Sequence, residues 1–247
     1  MDWRDEGALL AARPHGENAA IIEVLTETRG RCVGLVRGGA SGKRAGMLQP
    51  GAQLSVAWRG RLETHLGFFT VEPIRSRAGR LLDDPDALAA LASVCGLLSA
   101  FLPEREAQPA LYGPTLALLD ALETPEIWPT VYAHWELLLL ETLGFGLDLS
   151  SCAATGTTQE LIYVSPKSGR AVSRAAGAPY AERMLALPAF LRLGESCDAQ
   201  GFAEALALSG HFLERWAATE HGLAETPSAR RRLADRMKRR ALRDENG

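Results

Sequence analysis

Apolar residues alternate with polar ones over the first part of the chain and then shift to a helical spacing. In Leu54–Arg59, the residues Leu54, Val56 and Trp58 share one face, and Ser55, Ala57 and Arg59 share the other. That period of two belongs to a half-buried strand. Glu6–Arg13, Ala19–Thr26, Arg31–Arg37 and Gly67–Glu72 read as further strands. Pro14-His-Gly16, Thr28-Arg-Gly30, the loop Gly38–Gly51 and Arg59-Gly60 punctuate them. Five short strands ahead of a helical remainder predict an α+β chain. Its first part, residues 1–80, is expected to be a small barrel of the OB-fold kind, an architecture that binds single-stranded nucleic acid. Trp58 keeps phase with Leu54 and Val56, so it is placed in the core and not on a stacking platform.

From Leu81 the spacing is helical. Asp83-Asp-Pro85 supplies an N-cap and a first-turn proline. Leu88, Leu91, Val94, Cys95, Leu98, Phe101 and Leu102 follow until Pro103 stops the helix. A second helix is predicted over Leu111–Glu123, with a start marked by Pro114. A third runs over Ile127–Leu143, with Trp128, Val131, Trp135, Leu138 and Thr142 on its stripe. Leu137–Leu140 makes it apolar nearly all round, as a central buried helix would be. The pattern breaks over Leu149–Gly177, a glycine-, serine- and threonine-rich insert around one strand-like run, Glu160–Val164. Helices resume at Tyr180–Leu193 and Ala199–Thr219. A last one starts at Thr226-Pro227-Ser228 and is expected to fray into a basic tail, residues 228–243. The second domain thus covers residues 81–247, with the insert at 149–177.

Charge changes this picture more than bulk composition does. The chain has 247 residues, 47% hydrophobic, and a formal net charge of −3. That composition suits a globular protein. No apolar run approaches the roughly 20 residues of a membrane span, and the acidic start MDWRDEGALL lacks a secretory pattern, which predicts a cytoplasmic protein. Cys32, Cys95, Cys152 and Cys197 are scattered, without a C-x-x-C pair. Cys95 reads as a core residue. The charge, however, is segregated. Residues 1–80 are basic, Arg105 is the only Lys or Arg between Leu81 and Glu160, and the end is basic again. The stretch Arg29–Arg61 carries Arg29, Arg31, Arg37, Lys43, Arg44, Arg59 and Arg61 with no Asp or Glu. Two predicted strands flank its glycine-rich loop, the footprint of a polyanion groove. Lys167, Arg170 and Arg174 in the insert form a second candidate surface.

Catalytic patterns fail their tests. A phosphate loop ending at Lys43 needs glycine at 37 and a hydroxyl at 44, and the chain has Arg37 and Arg44. No H-E-x-x-H occurs, and His15, His65, His134, His211 and His221 are too dispersed for a local metal site. Gly39-x-Ser41 lacks the second glycine of a nucleophile elbow. The chain therefore reads as a non-enzyme. Three readings follow: a DNA-binding protein, a helical adaptor whose basic β-domain binds an acidic protein partner, or a nucleic-acid-processing enzyme.

Several scattered segments together resemble the RecO family of bacterial recombination mediators. They are Ala11-Ala-Arg13-Pro-His-Gly-Glu17-Asn-Ala-Ala-Ile-Ile, Thr28-Arg-Gly-Arg31 with Val36-Arg37-Gly-Gly, Leu48-Gln-Pro50-Gly, and Trp58-Arg-Gly60. Cys152-Ala-Ala-Thr-Gly156 and Tyr163-Val-Ser-Pro166-Lys-Ser-Gly169-Arg-Ala-Val-Ser-Arg174 complete the set. The resemblance implies an N-terminal OB-domain and a helical domain with a zinc-finger-like insert. It implies a DNA repair and recombination mediator that binds single- and double-stranded DNA and anneals complementary strands. The implied partners are RecR and the C-terminal tail of single-stranded DNA-binding protein, with RecA loaded as the outcome and a location at the bacterial nucleoid. Zinc-bearing members place two C-x-x-C pairs in the insert. Here only Cys152 remains, and the matching positions are Thr155, Ser173 and Ala176, so no zinc and no other cofactor is expected. On this resemblance Arg29, Arg31, Arg37, Lys43, Arg44, Arg59 and Arg61, with Lys167, Arg170 and Arg174, are the candidate DNA contacts.

Overall fold

The computed structural model describes residues 1–62, 65–194 and 196–245, with the backbone alone at position 43. The chain packs as two compact units. One comprises Met1–Glu123 with Pro227–Arg230, and the other Thr124–Thr226 with the residues from Arg231 onward.

In the first unit, β1 (Asp2–His15), β2 (Ala19–Thr26), β3 (Gly30–Val36), β4 (Gln53–Arg59) and β5 (Phe68–Arg75) close a barrel in the order β1-β2-β3-β5-β4. Every pairing is antiparallel except β3 with β5, which meet in parallel at Leu35 and Phe68. This five-stranded closed order is that of an OB-fold. Leu9, Ile22, Val24, Leu54 and Val56 fill it, all nearly inaccessible to solvent. Trp58 is buried as its phase required, and it stacks on Trp3 at 6.0 Å. The strand β1 begins four residues earlier than the apolar pattern indicated. Its first turn of alternation, Asp2, Trp3, Arg4, Asp5, Glu6, hides one aromatic among charges, and pairing with β4 sets its extent.

A single turn, α1 (Gly42–Ala45), interrupts the loop between β3 and β4. Next, α2 (Pro85–Phe101) starts where the sequence marked it: Asp84 accepts from the backbone N–H groups of Asp86 and Ala87, and Pro85 fills the first position. Cys95 is buried on α2, where burial pushes its thiol up to about 12. The helix α3 spans Pro109–Ala121, so it starts at Pro109, and Pro114 lies inside it. Pro109 takes the first-turn position because its missing N–H is not needed there.

The second unit is built on α4 (Trp128–Thr142). Its buried face is Trp128, Tyr132, Trp135, Glu136 and Leu139, one position around from the predicted stripe, with Val131, Leu138 and Thr142 at the margin. The shift centres on a buried carboxylate that hydropathy cannot reveal: Glu136 accepts from the Tyr132 hydroxyl at 2.8 Å and from the Ser209 hydroxyl at 2.5 Å. The insert carries β6 (Leu161–Val164) and β7 (Ala171–Ser173), followed by the short α5 (Arg174–Gly177). Tyr180–Leu193 is not one helix. It holds a 3-10 turn (Ala178–Arg183), the strand β8 (Leu185–Ala186) paired to β6, and α6 (Phe190–Leu193). Pro188 separates the last two. The helix α7 (Ala199–Phe212) continues into a π-turn, Leu213–Ala218. Instead of fraying, α8 persists over Ser228–Glu245, with Leu233, Met237 and Ala241 buried and Leu242 half-exposed. Among the described residues no helix is long and apolar enough to cross a membrane.

Candidate nucleic-acid interface

Barrel closure brings the start of β1, the end of β4 and the start of β5 to one level. Asp2 faces Arg59, Arg4 faces Ala57, and Arg59 in turn faces Phe68. Since strand residues alternate between faces, Asp2, Arg4, Ala57, Arg59, Phe68 and Thr70 share the outer side while Trp3, Trp58 and Phe69 turn inward. The result is an open groove of about 840 Å³, roofed at one side by Arg37 and Arg44.

Among the described residues four arginines line this groove, Arg4, Arg37, Arg44 and Arg59, against a single carboxylate, Asp2. Arg59 lies 4.0 Å from Asp2, and both side chains are largely exposed. At that distance and exposure the pair gains little and leaves Arg59 open to a stronger anion. Arg44 donates from Nη1 to the Arg37 carbonyl at 2.7 Å, which holds α1 back over the end of β3. The Arg37 guanidinium sits over the Phe68 ring at 4.5 Å, a cation–π contact. Two glycines shape the floor: a Cβ on Gly60 or Gly67 would come within 2.4 or 2.3 Å of the Trp58 indole. The Trp58 indole fits between these two positions only because both lack side chains.

The other predicted basic residues lie elsewhere. Arg29 is on the far side of the tryptophan stack, with its guanidinium 5.9 Å from the Trp3 ring centroid, beside Cys32 and Arg105. Burial pushes the Cys32 thiol up to about 11. Arg31 is committed inside the first unit: Nε donates to the Leu102 carbonyl at 2.8 Å, and Nη1 lies 3.3 Å from Glu23. Arg61 is exposed in the loop after β4. The Lys43 side chain falls outside the described residues. In the second unit, Lys167 is exposed at the β6–β7 turn. Arg170 pairs with Asp148 at 3.2 Å and Arg174 with Glu160 at 3.4 Å. Two groove residues were not among the sequence candidates. Arg4 was masked by acidic neighbours, and Phe68 by the adjacent Phe69. Strand alternation across the Phe68-Phe69 pair, one ring in and one out, was the signal that could have found Phe68.

Cys152 is the one cysteine of the insert, which contains no histidine. The sulfur of Cys152 accepts the Ser173 backbone N–H at 3.3 Å. Burial raises the thiol, but hydrogen bonds from the Ser173 and Thr155 side chains, and from the Ser173 and Ala154 backbone, outweigh it and bring it down to about 6. Among the described residues no group of three or more His, Cys, Asp or Glu side chains is placed to hold a metal ion.

Comparison with known proteins agrees with this architecture. The family model for Recombination protein O N terminal matches residues 1–77, and that for Recombination protein O C terminal matches residues 82–219. The chain is 53% identical over 240 residues to DNA repair protein RecO of Ruegeria sp. (strain TM1040), covering 97% of this chain and 100% of that one. It is 51% identical over 239 residues to DNA repair protein RecO of Cereibacter sphaeroides (strain ATCC 17029 / ATH 2.4.9), covering 97% and 99%. With DNA repair protein RecO of Jannaschia sp. (strain CCS1) it shares 50% identity over 243 residues, covering 98% and 99%. Barrel, groove and whole-length similarity lead to one conclusion: the chain belongs to the RecO family of DNA repair proteins, and its role lies in DNA repair and recombination.

Proposed function

We propose that the groove of the barrel is the surface on which this protein holds DNA backbones. The observation that carries the proposal is the convergence of Arg4, Arg37, Arg44 and Arg59 on one concave face, with Asp2 the one acid among the described residues that line it. Arg61, exposed in the loop after β4, adds to the positive charge of the first unit, and Lys167 is a separate cationic position on the second. Arg31 has a structural part, and Arg170 and Arg174 reach phosphate only by giving up their carboxylates. Arginine forks neutralise phosphates and release counterions, so binding is sequence-tolerant and salt-sensitive. Four neutralised phosphates correspond to a slope of log affinity against log salt of about −3 on single strands.

Charge neutralisation is also what annealing needs, because two strands must approach without their mutual repulsion and with their bases uncovered. In this reading the protein binds single- and double-stranded DNA and anneals complementary strands. It works with RecR and the tail of single-stranded DNA-binding protein to let RecA load, without catalysing a reaction and without zinc, in the cytoplasm at the nucleoid.

The test is fluorescence anisotropy with labelled oligonucleotides across a salt series, comparing the protein with the triple variant Arg37→Glu, Arg44→Glu, Arg59→Glu. The variant should lose affinity and flatten the salt slope by about 2. Unchanged affinity and slope in a folded variant would sink the groove assignment and favour the adaptor reading. Elemental analysis showing one zinc per chain would overturn the metal-free insert.

A further inference from the structure

The groove contains one feature that phosphate binding does not use. Phe68 is 45% exposed at the start of β5, while the neighbouring ring, Phe69, is buried on the inner side of the strand. An exposed phenyl on a strand face leaves apolar surface in water. Here it lies between Arg59 on the neighbouring strand and Arg37 above it.

Resting on the groove reading, we infer that Phe68 is a stacking platform for one unpaired nucleobase, with Arg37 as its placeholder in the free protein. The geometry carries this in three steps. The Arg37 guanidinium covers the ring at 4.5 Å, so the ring face is presented and not blocked by the fold. Arginine is a long, flexible side chain, and among the described residues its guanidinium is held by the cation–π contact with this ring. The loop backbone stays in place when the guanidinium leaves, because Arg44 binds the Arg37 carbonyl and not its side chain. An incoming base takes the ring face, and the displaced guanidinium moves to the phosphate beside it. Arg59, facing Phe68 across β4 and β5, takes the next phosphate along.

Only an unpaired base can present its face in this way, since in a duplex both faces are already stacked. Phe68 therefore makes the groove distinguish single-stranded from double-stranded DNA, while the arginines bind both.

Three probes test this on the full-length protein by anisotropy: a thymidine oligonucleotide, an abasic oligonucleotide of the same length, and a duplex. Phe68→Ala should weaken thymidine binding about tenfold, the scale of one base–aromatic stack, and leave the abasic and duplex probes unchanged. Phe68→Leu, which keeps the apolar area but not the aromatic face, should behave like alanine, and Phe68→Trp should retain binding. Equal losses on all three probes, or no loss on thymidine, would overturn the stacking role. The triple arginine variant separates the two readings. If it loses binding to every probe while Phe68→Ala loses none, the groove stands and the platform falls. If it loses nothing, both fall.

Discussion

Arg77 donates from Nε to the Asp120 carboxylate at 2.6 Å while only 1% of its side chain is exposed. The same guanidinium reaches the Gly51 carbonyl at 2.9 Å and the Gln53 side chain at 3.2 Å. One buried arginine thus ties α3 to the turn that enters β4, so helix and barrel form one unit. Asp120 remains 42% exposed, and water can compensate it when the arginine goes, so the cost lies in the lost hydrogen bonds and the vacated space. Arg77→Ala should destabilise the protein by about 2–3 kcal/mol, read as a lower urea midpoint. Arg77→Lys should recover less than half, because an ammonium cannot span three acceptors in a fork.

Arg31 and Arg59 separate stability from binding. Arg31 is 15% exposed and bonded to Leu102 and Glu23, whereas Arg59 is 84% exposed. Arg31→Ala should cost about 1–2 kcal/mol and leave oligonucleotide affinity intact. Arg59→Ala should change stability by less than about 0.5 kcal/mol and reduce the salt slope by about 1. Thermal melts and anisotropy on the same two samples check both halves.

Gly67 and Gly16 both have positive φ, +60° and +61°, but differ in what surrounds them. A Cβ at Gly16 meets nothing within 4 Å, while at Gly67 it meets the Trp58 indole at 2.3 Å. Gly16→Ala should cost only backbone strain, about 1 kcal/mol. Gly67→Ala adds a clash in the packed core and should cost about 2–3 kcal/mol or more. Loss of the native tryptophan emission at lower denaturant would accompany it.

Cys152 should make stability depend on pH. Its thiol is held at about 6 in the folded chain against 9.0 as the ordinary value. The unfolded state therefore binds more protons between those values, and stability rises with pH across that window. The contribution is complete above about 9 and lost as pH falls through about 6. Cys152→Ser cannot titrate there, so the stability gap between protein and variant should widen from pH 6 to pH 8. A constant gap across denaturation curves at pH 6, 7 and 8 would show that the thiol is not held down.

Residues near one another in sequence specified much of this molecule. The alternation Leu54-Val56-Trp58 placed the barrel wall and buried Trp58, because strand period and apolarity are both local. Asp84 and Pro85 started α2 for the same reason: a cap acts within one turn. The replacement of a phosphate-loop glycine and hydroxyl by Arg37 and Arg44 was likewise legible. What only the tertiary structure decided is which cations act together. Arg31 and Arg37 bracket the same strand with the same charge, yet packing commits Arg31 to Leu102 and Glu23 and leaves Arg37 over Phe68. Arg4 enters the groove because β1 closes against β4 in a register that pairs residues more than fifty positions apart. Register and closure are properties of distant partners, so neither charge nor periodicity along the chain could assign them.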